Sequence, residues 1–188
     1  MRHILAIIAL LNFGLQAVAQ YDVSYTNTAG PISWTVPNNP CVTEYTFEAW
    51  GGGANGNPTT GSGVEGGGAG GYARVTVTGV TPGQIFTINV GAGGVNGGSS
   101  TVVDPTNTTI LTATGGTGQN GGNGTITIGT NPYTSTGGNG ANGVQPAAGV
   151  YGSGGGGGAG GLGVNGVTPA DACCCLLYTS DAADEYSG

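Results

Sequence analysis

Glu44 and Glu48 are the first residues to weigh for chemistry, because two carboxylates at a fixed separation can divide acid and base work between them. They stand four apart in VTEYTFEAW. On a strand they share a face two pleats apart, roughly 13 Å at ~3.3 Å per residue. That exceeds the ~5–9.5 Å separations of glycosidase pairs, so both are expected to be solvated strand positions. Other chemistries lack their reagents. His3 is the only histidine, Arg2 and Arg74 are the only cations, and lysine is absent. A P-loop is therefore excluded, and most acid–base and nucleophile schemes have no partner group. Gly61-Ser62-Gly63-Val64-Glu65-Gly66 satisfies GxGxxG, but no helical pattern follows and so glycine-rich a chain produces such matches by accident. The calcium-binding nonapeptide GGxGxD does not occur. The expectation is a protein without catalytic residues, cofactor or metal.

Cysteine adds little. Cys41 stands alone, while Cys173, Cys174 and Cys175 are adjacent. A bridge from Cys41 to Cys173 or Cys174 and a lone buried Cys41 thiol both stay open, and no Cys/His spacing of metal type occurs. The formal net charge is −7. One cation downstream of Arg2 cannot build an electrostatic footprint for nucleic acid or for anionic lipid.

The positions that would carry any function sit between two segments of different origin. Residues 1–19 read as a secretory signal peptide: Arg2 and His3 give a positive start, Ile4 to Leu11 is apolar, and Ala17-Val18-Ala19 is a small-x-small cleavage signal. Cleavage is expected between Ala19 and Gln20, which makes the protein secreted or cell-surface. The apolar run falls short of the ~20 residues of a spanning helix, and no other segment supplies one. At the other end, CLLYTSDAADE at 175–185 resembles a conceptual translation of a transposase-type sequencing adapter. Residues 173–188 are expected to be read-through, and residues 20–172 a glycine-rich β domain that is C-terminally truncated.

Within that domain, period-two alternation marks strands. Ile32, Trp34 and Val36 alternate with polar residues, as do Tyr45, Phe47 and Ala49, then Ala73, Val75 and Val77, then Phe86, Ile88 and Val90. Pro82-Gly83 predicts a hairpin over 72–90. Asp104-Pro105-Thr106-Asn107 predicts a second turn between 101–103 and 109–114, and TITI at 125–128 a further short strand. No stretch has a period of 3.6, so the fold is expected to be all-β. Trp34, Phe47, Trp50 and Phe86 are the expected core aromatics. Tyr72 falls on the face opposite Ala73 and Val75.

Glycine blocks interrupt these strands at 51–53, 66–71, 115–124, 137–143 and 152–163. Flexible linkers are one reading. Ordering all 43 glycines would cost on the order of 20–40 kcal/mol more than ordering alanines, at roughly 0.5–1 kcal/mol each, against a typical domain stability of ~5–15 kcal/mol. Ordered blocks therefore need an interaction that only glycine permits. Extended helices of three residues per turn can approach closely and hydrogen-bond laterally when side chains are absent. In such a polyglycine-II bundle, Ala69 and Asn142 are expected to face outward.

The order of phrases resembles a glycine-rich domain family. FEAWGGG at 47–53, GGAGGYARVTV at 67–77, TPGQIFTINV at 81–90, VGAGG at 90–94, GGSSTVV at 97–103 and LTATGGTG at 111–118 follow its pattern over most of residues 30–163. Similar domains occur in bacterial secreted proteins, phage tail-tip adhesins and receptors of the anaplastic-lymphoma-kinase type. The resemblance implies a β-sandwich with glycine helices bundled at one end. Two departures stand out: no closing strand is read before Ala172, and the cysteines of the animal receptors have no match.

These readings converge on a non-enzymatic adhesion module that meets a surface glycan or protein, with Tyr133 and Tyr151 as the surface-contact aromatics. A structural matrix component that self-associates is the alternative. Ice binding is a third, drawn from the T-x-T pairs Thr76/Thr78, Thr112/Thr114 and Thr125/Thr127. Asn107-Thr108-Thr109 and Asn123-Gly124-Thr125 match glycosylation sequons.

Overall fold

β-Branched and aromatic residues at alternate positions can bury one side of a pleat, and each of the main alternating runs forms a strand. The computed structural model describes residues 22–26, 29–39, 42–59 and 63–140. Its strands are β1 (Ile32–Thr35), β2 (Glu44–Trp50), β3 (Asn57–Thr59), β4 (Gly63–Glu65), β5 (Tyr72–Thr78), β6 (Ile85–Asn89), β7 (Ser100–Val103), β8 (Thr109–Ala113), β9 (Gly124–Ile126) and β10 (Thr130–Ser135). No helix occurs among the described residues, and so none there is long and apolar enough to cross a membrane. The fold is all-β. A five-stranded sheet, β1-β6-β7-β8-β9, faces a three-stranded sheet, β10-β5-β2, and β3 pairs with β4 as a separate hairpin. Every pairing between strands is antiparallel.

The inward positions of both sheets meet in one core. Phe47 and Ala49 from β2, Ala73 and Val75 from β5, Phe86 from β6, Val102 from β7, and Ile110, Leu111 and Ala113 from β8 are buried together with Val36 and Val80. Trp34 packs on this cluster, edge-on to Tyr45 at 5.1 Å and to Phe47 at 5.7 Å, while Phe47 and Phe86 lie 4.9 Å apart. Edge and tilted contacts of this kind add to area burial.

The hairpin expected over 72–90 does not form. β5 pairs with β2 and β10, whereas β6 pairs with β1 and β7. The turn after β5 therefore crosses from one sheet to the other. Gly83, with φ of 83°, follows Pro82 in that turn, a pairing that suits the second central position of a type II turn. The 101–103 and 109–113 runs do pair directly as β7 and β8, with a bulge beside Val103.

Connections alternate between the two ends of the sandwich. At one end they are short turns around 79–84, 104–108 and 127–129. At the other end β2, β6, β8 and β10 run out into glycine, and β5, β7 and β9 start from it. The glycine segments pack there side by side. Residues 66–71 are all buried. They exchange backbone hydrogen bonds with four other segments. Gly51 N–H donates to Gly71 O and Ala54 N–H to Gly68 O; Gly68 N–H donates to Gly118 O and Gly71 N–H to Thr114 O; Ala69 N–H donates to Gly138 O; and Gly122 N–H donates to Ala69 O, at 2.7–3.0 Å. A β-strand can pair with only two neighbours in its plane. Bonds to four neighbours require N–H and C=O groups that radiate around the chain axis.

The repeat of that rotation can be read from which neighbour each glycine touches. A Cβ added at Gly67 or Gly70 would collide with the backbone of Ala54 or Gly51, and one added at Gly68 or Gly71 with that of Asn120 or Asn123, all well inside 3.0 Å. The facing residues are three apart on both sides of each contact. That is the three-residue turn of a polyglycine-II helix, and it makes this end of the molecule a bundle rather than a set of linkers. Ala69 corrects an expectation: it is buried, because the central helix is enclosed on all its faces. Asn142 lies outside the described residues.

Candidate functional site

Parity along β2 and β5 determines what the three-stranded sheet shows on its outer side. Phe47 and Ala49 point into the core, so Glu44, Thr46, Glu48 and Trp50 point out. Ala73 and Val75 point in, so Tyr72, Arg74, Thr76 and Thr78 point out. Strand register then aligns these side chains into rows. Trp50 is opposite Tyr72, which is opposite Ser135; Glu48 is opposite Arg74, which is opposite Tyr133; Thr46 is opposite Thr76, which is opposite Thr130. Cross-strand partners on one face are near neighbours. The Thr46 and Thr76 hydroxyls are 2.9 Å apart.

The first two rows form an aromatic strip with charges beside it. Tyr72 lies between Trp50, at 5.0 Å, and Tyr133, at 6.0 Å between ring centroids. The Arg74 guanidinium carbon stands 5.5 Å from the centre of the Tyr133 ring, a cation–π contact. Trp50 is 50 % exposed, against 0 % for Tyr72. Its expected place in the core is therefore corrected. Trp50 has the parity of the two glutamates and lies on the outside of the sheet, tilted against Tyr72. Trp34, Phe47 and Phe86 do belong to or pack on the core.

Tyr133 lies on β10, a strand that the TNPYTS run does not announce, since Pro132 interrupts it and apolar alternation is missing. A bulge between Thr130 and Tyr133 absorbs the proline. Tyr151 and the cleavage pair Ala19 and Gln20 lie outside the described residues, as do all four cysteines. Glu44 and Glu48 share the outer face as expected; Glu48 has Arg74 as its cross-strand partner and Glu44 has Thr78. Gly63–Glu65 of the GxGxxG match is β4. No group of three or more potential metal ligands occurs among the described residues.

Two polar groups mark the seam between sheet and bundle. The Ser100 hydroxyl donates to the carbonyl of Trp50 and accepts from Gly91 N–H, so the last residue of β2 is tied to β7 and to a glycine segment at once. The Tyr72 hydroxyl is buried with no well-formed hydrogen bond among the described residues, and the Glu48 carboxylate is its polar neighbour. Burial, and then the nearby Glu48 carboxylate, push its pKa far above the usual phenol range, while Arg74 acts the other way. Tyr72 is thus held neutral and serves as the rigid floor of the strip.

The outer face of the five-stranded sheet differs in character. Asn89, Thr101, Thr112 and Thr125 are successive cross-strand partners, and Ser33, Thr87, Val103 and Thr109 make the neighbouring row. Asn89 Nδ2 donates to Thr101 Oγ1 at 2.9 Å. Neither row carries a charge. Thr76 and Thr78 lie on the opposite sheet, so the T-x-T pairs do not form a single surface.

A family model described as a glycine-rich domain matches residues 26–188. No curated protein and no solved structure matches the chain.

Proposed function

The chain belongs to the glycine-rich domain family, and from that premise we propose that it is a non-enzymatic adhesion module, secreted or displayed at the cell surface. The observation that carries this reading is Trp50: a half-exposed indole on a sheet face, tilted against buried Tyr72, with the Glu48–Arg74 cross-strand pair in the next row and Tyr133 against Tyr72 and Arg74. Exposed aromatics beside a few polar groups are the usual anchors of protein binding surfaces. The glycine bundle supports the reading mechanically. Its backbone hydrogen bonds and close packing hold the strand ends that bear Trp50 and Tyr72. The signal-like residues 1–19 support an extracellular reading, and the lack of histidine and lysine beyond residue 3 supports a non-enzymatic one.

The test is retention of labelled, secreted protein on intact cells. Saturable, selective retention that unlabelled protein displaces supports adhesion. Self-association with unselective retention would instead indicate a matrix component. The two uncharged rows of the five-stranded sheet favour one second reading, ice binding, since regularly spaced threonine methyls and hydroxyls can hold ordered water. Thermal hysteresis in the purified protein is its signature, and absence of hysteresis removes it.

A further inference from the structure

We infer that the outer face of the three-stranded sheet is a binding site for a neutral saccharide, with Trp50 as the stacking platform and Glu48 and Arg74 as the groups that engage its hydroxyls. This rests on the adhesion reading and names the ligand class of the same face.

Three observations lead there. First, the face offers an aromatic ring braced by a rigid neighbour, at an interplanar angle of 50°. Trp50 is supported by Tyr72 at 5.0 Å and is half exposed. A ring held in this way stacks a flat apolar surface at little entropic cost, because its own motion is already restricted. Second, the polar groups beside it are of both signs. Glu48 accepts hydrogen bonds only, and Arg74 donates only. They are direct cross-strand partners two register positions from Trp50 and Tyr72, the next row on the same face. Tyr133 positions the guanidinium through its ring. A ligand that suits this arrangement presents a C–H face to the indole and adjacent hydroxyls, each both donor and acceptor, to the carboxylate and guanidinium. The pyranose ring of a sugar has that combination. An apolar peptide or lipid chain would leave both charges unpaired and partly desolvated, which is costly.

Third, charge decides between neutral and acidic sugars. The two charges of the site cancel locally, while residues 20–172, with six acids and Arg74, carry a net −5. That field repels polyanionic glycans. The two rows and three strands span roughly 10 Å by 7 Å, from ~4.8 Å between strands and ~3.3 Å per residue along them. The footprint fits a short stretch of a neutral oligosaccharide.

The experiment presents the secreted chain to an array of neutral and acidic oligosaccharides, and then titrates the best-retained neutral sugar while following tryptophan fluorescence. The chain has two tryptophans, and Trp34 is packed on the core, so a ligand-induced change reports on Trp50. Trp50→Ala should weaken binding about tenfold or more, ~1.4 kcal/mol, and abolish the fluorescence change. Arg74→Gln should weaken binding while leaving the fluorescence change in place at saturation. Unchanged melting temperatures would exclude misfolding as the cause. Should Trp50→Ala perturb the fold, protection of Trp50 from acrylamide quenching by the sugar, measured on the unaltered chain, makes the same decision. Sugar retention that survives Trp50→Ala, or a preference for acidic glycans, overturns the inference and leaves adhesion standing. Retention on cells without retention on any sugar does the same. Failure of both cells and sugars overturns the adhesion reading as well.

Discussion

Replacing Gly68 by alanine should destabilise the protein, and replacing Gly53 by alanine should not. The two residues belong to adjacent segments of the bundle and differ in what surrounds them. A methyl group at Gly68 would sit well inside 3.0 Å of the Asn120 carbonyl and the following peptide, whereas at Gly53 the nearest heavy atom, Gly68 O, is 3.9 Å away. Neither glycine has a left-handed φ, so steric contact alone separates them. Overpacking costs typically ~1–3 kcal/mol. The displacement also strains the Gly68 N–H bond to Gly118 O and the Ala54 N–H bond to Gly68 O, with each lost bond worth ~0.5–1.5 kcal/mol. Gly68→Ala should thus lose ~2–6 kcal/mol, which for a chain of this size lowers the melting temperature by roughly 4–24 °C at ~2–4 °C per kcal/mol. Gly53→Ala should gain ~0.4–1 kcal/mol by restricting the unfolded chain. Urea unfolding followed by tryptophan fluorescence measures both, since Trp34 reports on the sandwich core. If the blocks behaved as linkers, both variants would be neutral or slightly stabilising. Equal stability of Gly68→Ala and Gly53→Ala would refute the packed bundle.

Three further outcomes follow from the same reasoning. Tyr72→Phe removes a buried hydroxyl that makes no well-formed hydrogen bond among the described residues, so its effect should stay within ~1 kcal/mol of neutral. Because the folded-state pKa of Tyr72 is raised, the unfolded chain loses this proton first above pH ~10 and stability falls as pH rises; alkaline unfolding curves of Tyr72→Phe should lack that part of the fall. Asp104 anchors the β7–β8 turn by accepting from Thr106 N–H, the Thr106 hydroxyl and Thr108 N–H. Slight burial raises its pKa, but these bonds lower it further, to a net depression. Its contribution is present above the ordinary carboxylate value of ~3.9 and is lost as pH falls through the lower folded value; Asp104→Asn should cost on the order of 1 kcal/mol at neutral pH and flatten the acid limb of the stability curve. Finally, N-terminal sequencing of exported protein should read from Gln20, and an intact Met1 on exported material would remove the signal peptide.

Much of the architecture was legible in residue parity, and its limits were physical. Alternation identified the core residues of β1, β2, β5 and β6 because each strand buries one side only. The same alternation already placed Trp50 with Glu44 and Glu48. The expectation of a core tryptophan rested on its place at the end of a strand entering a glycine turn, although large aromatics often stay partly exposed because of their size. The hairpin over 72–90 failed for another reason. A turn signal reports that the chain reverses, but it carries no information on whether the next strand stays in the same sheet. β10 was missed because its proline and polar residues hide a strand that is stabilised by pairing with β5 rather than by burial of its own.

The glycine blocks show where local pattern ends and packing takes over. Composition alone allowed linker or bundle, and only an energetic argument about ordering favoured the second. The structure adds a link between the bundle and the face beside it. AWGGG and GGY each set an aromatic residue next to a glycine run. Trp50 and Tyr72 are cross-strand partners, and Gly51 N–H bonds Gly71 O one step beyond them. The first rung of the bundle therefore continues the last rung of the sheet. A fault introduced at Gly70, where an added methyl would strike the Gly51 backbone, should reach Trp50 through a single residue. Gly70→Ala should accordingly alter the exposure of Trp50 to acrylamide while leaving Trp34 quenching unchanged. A bundle that merely hung from the sandwich would leave both tryptophans as they were.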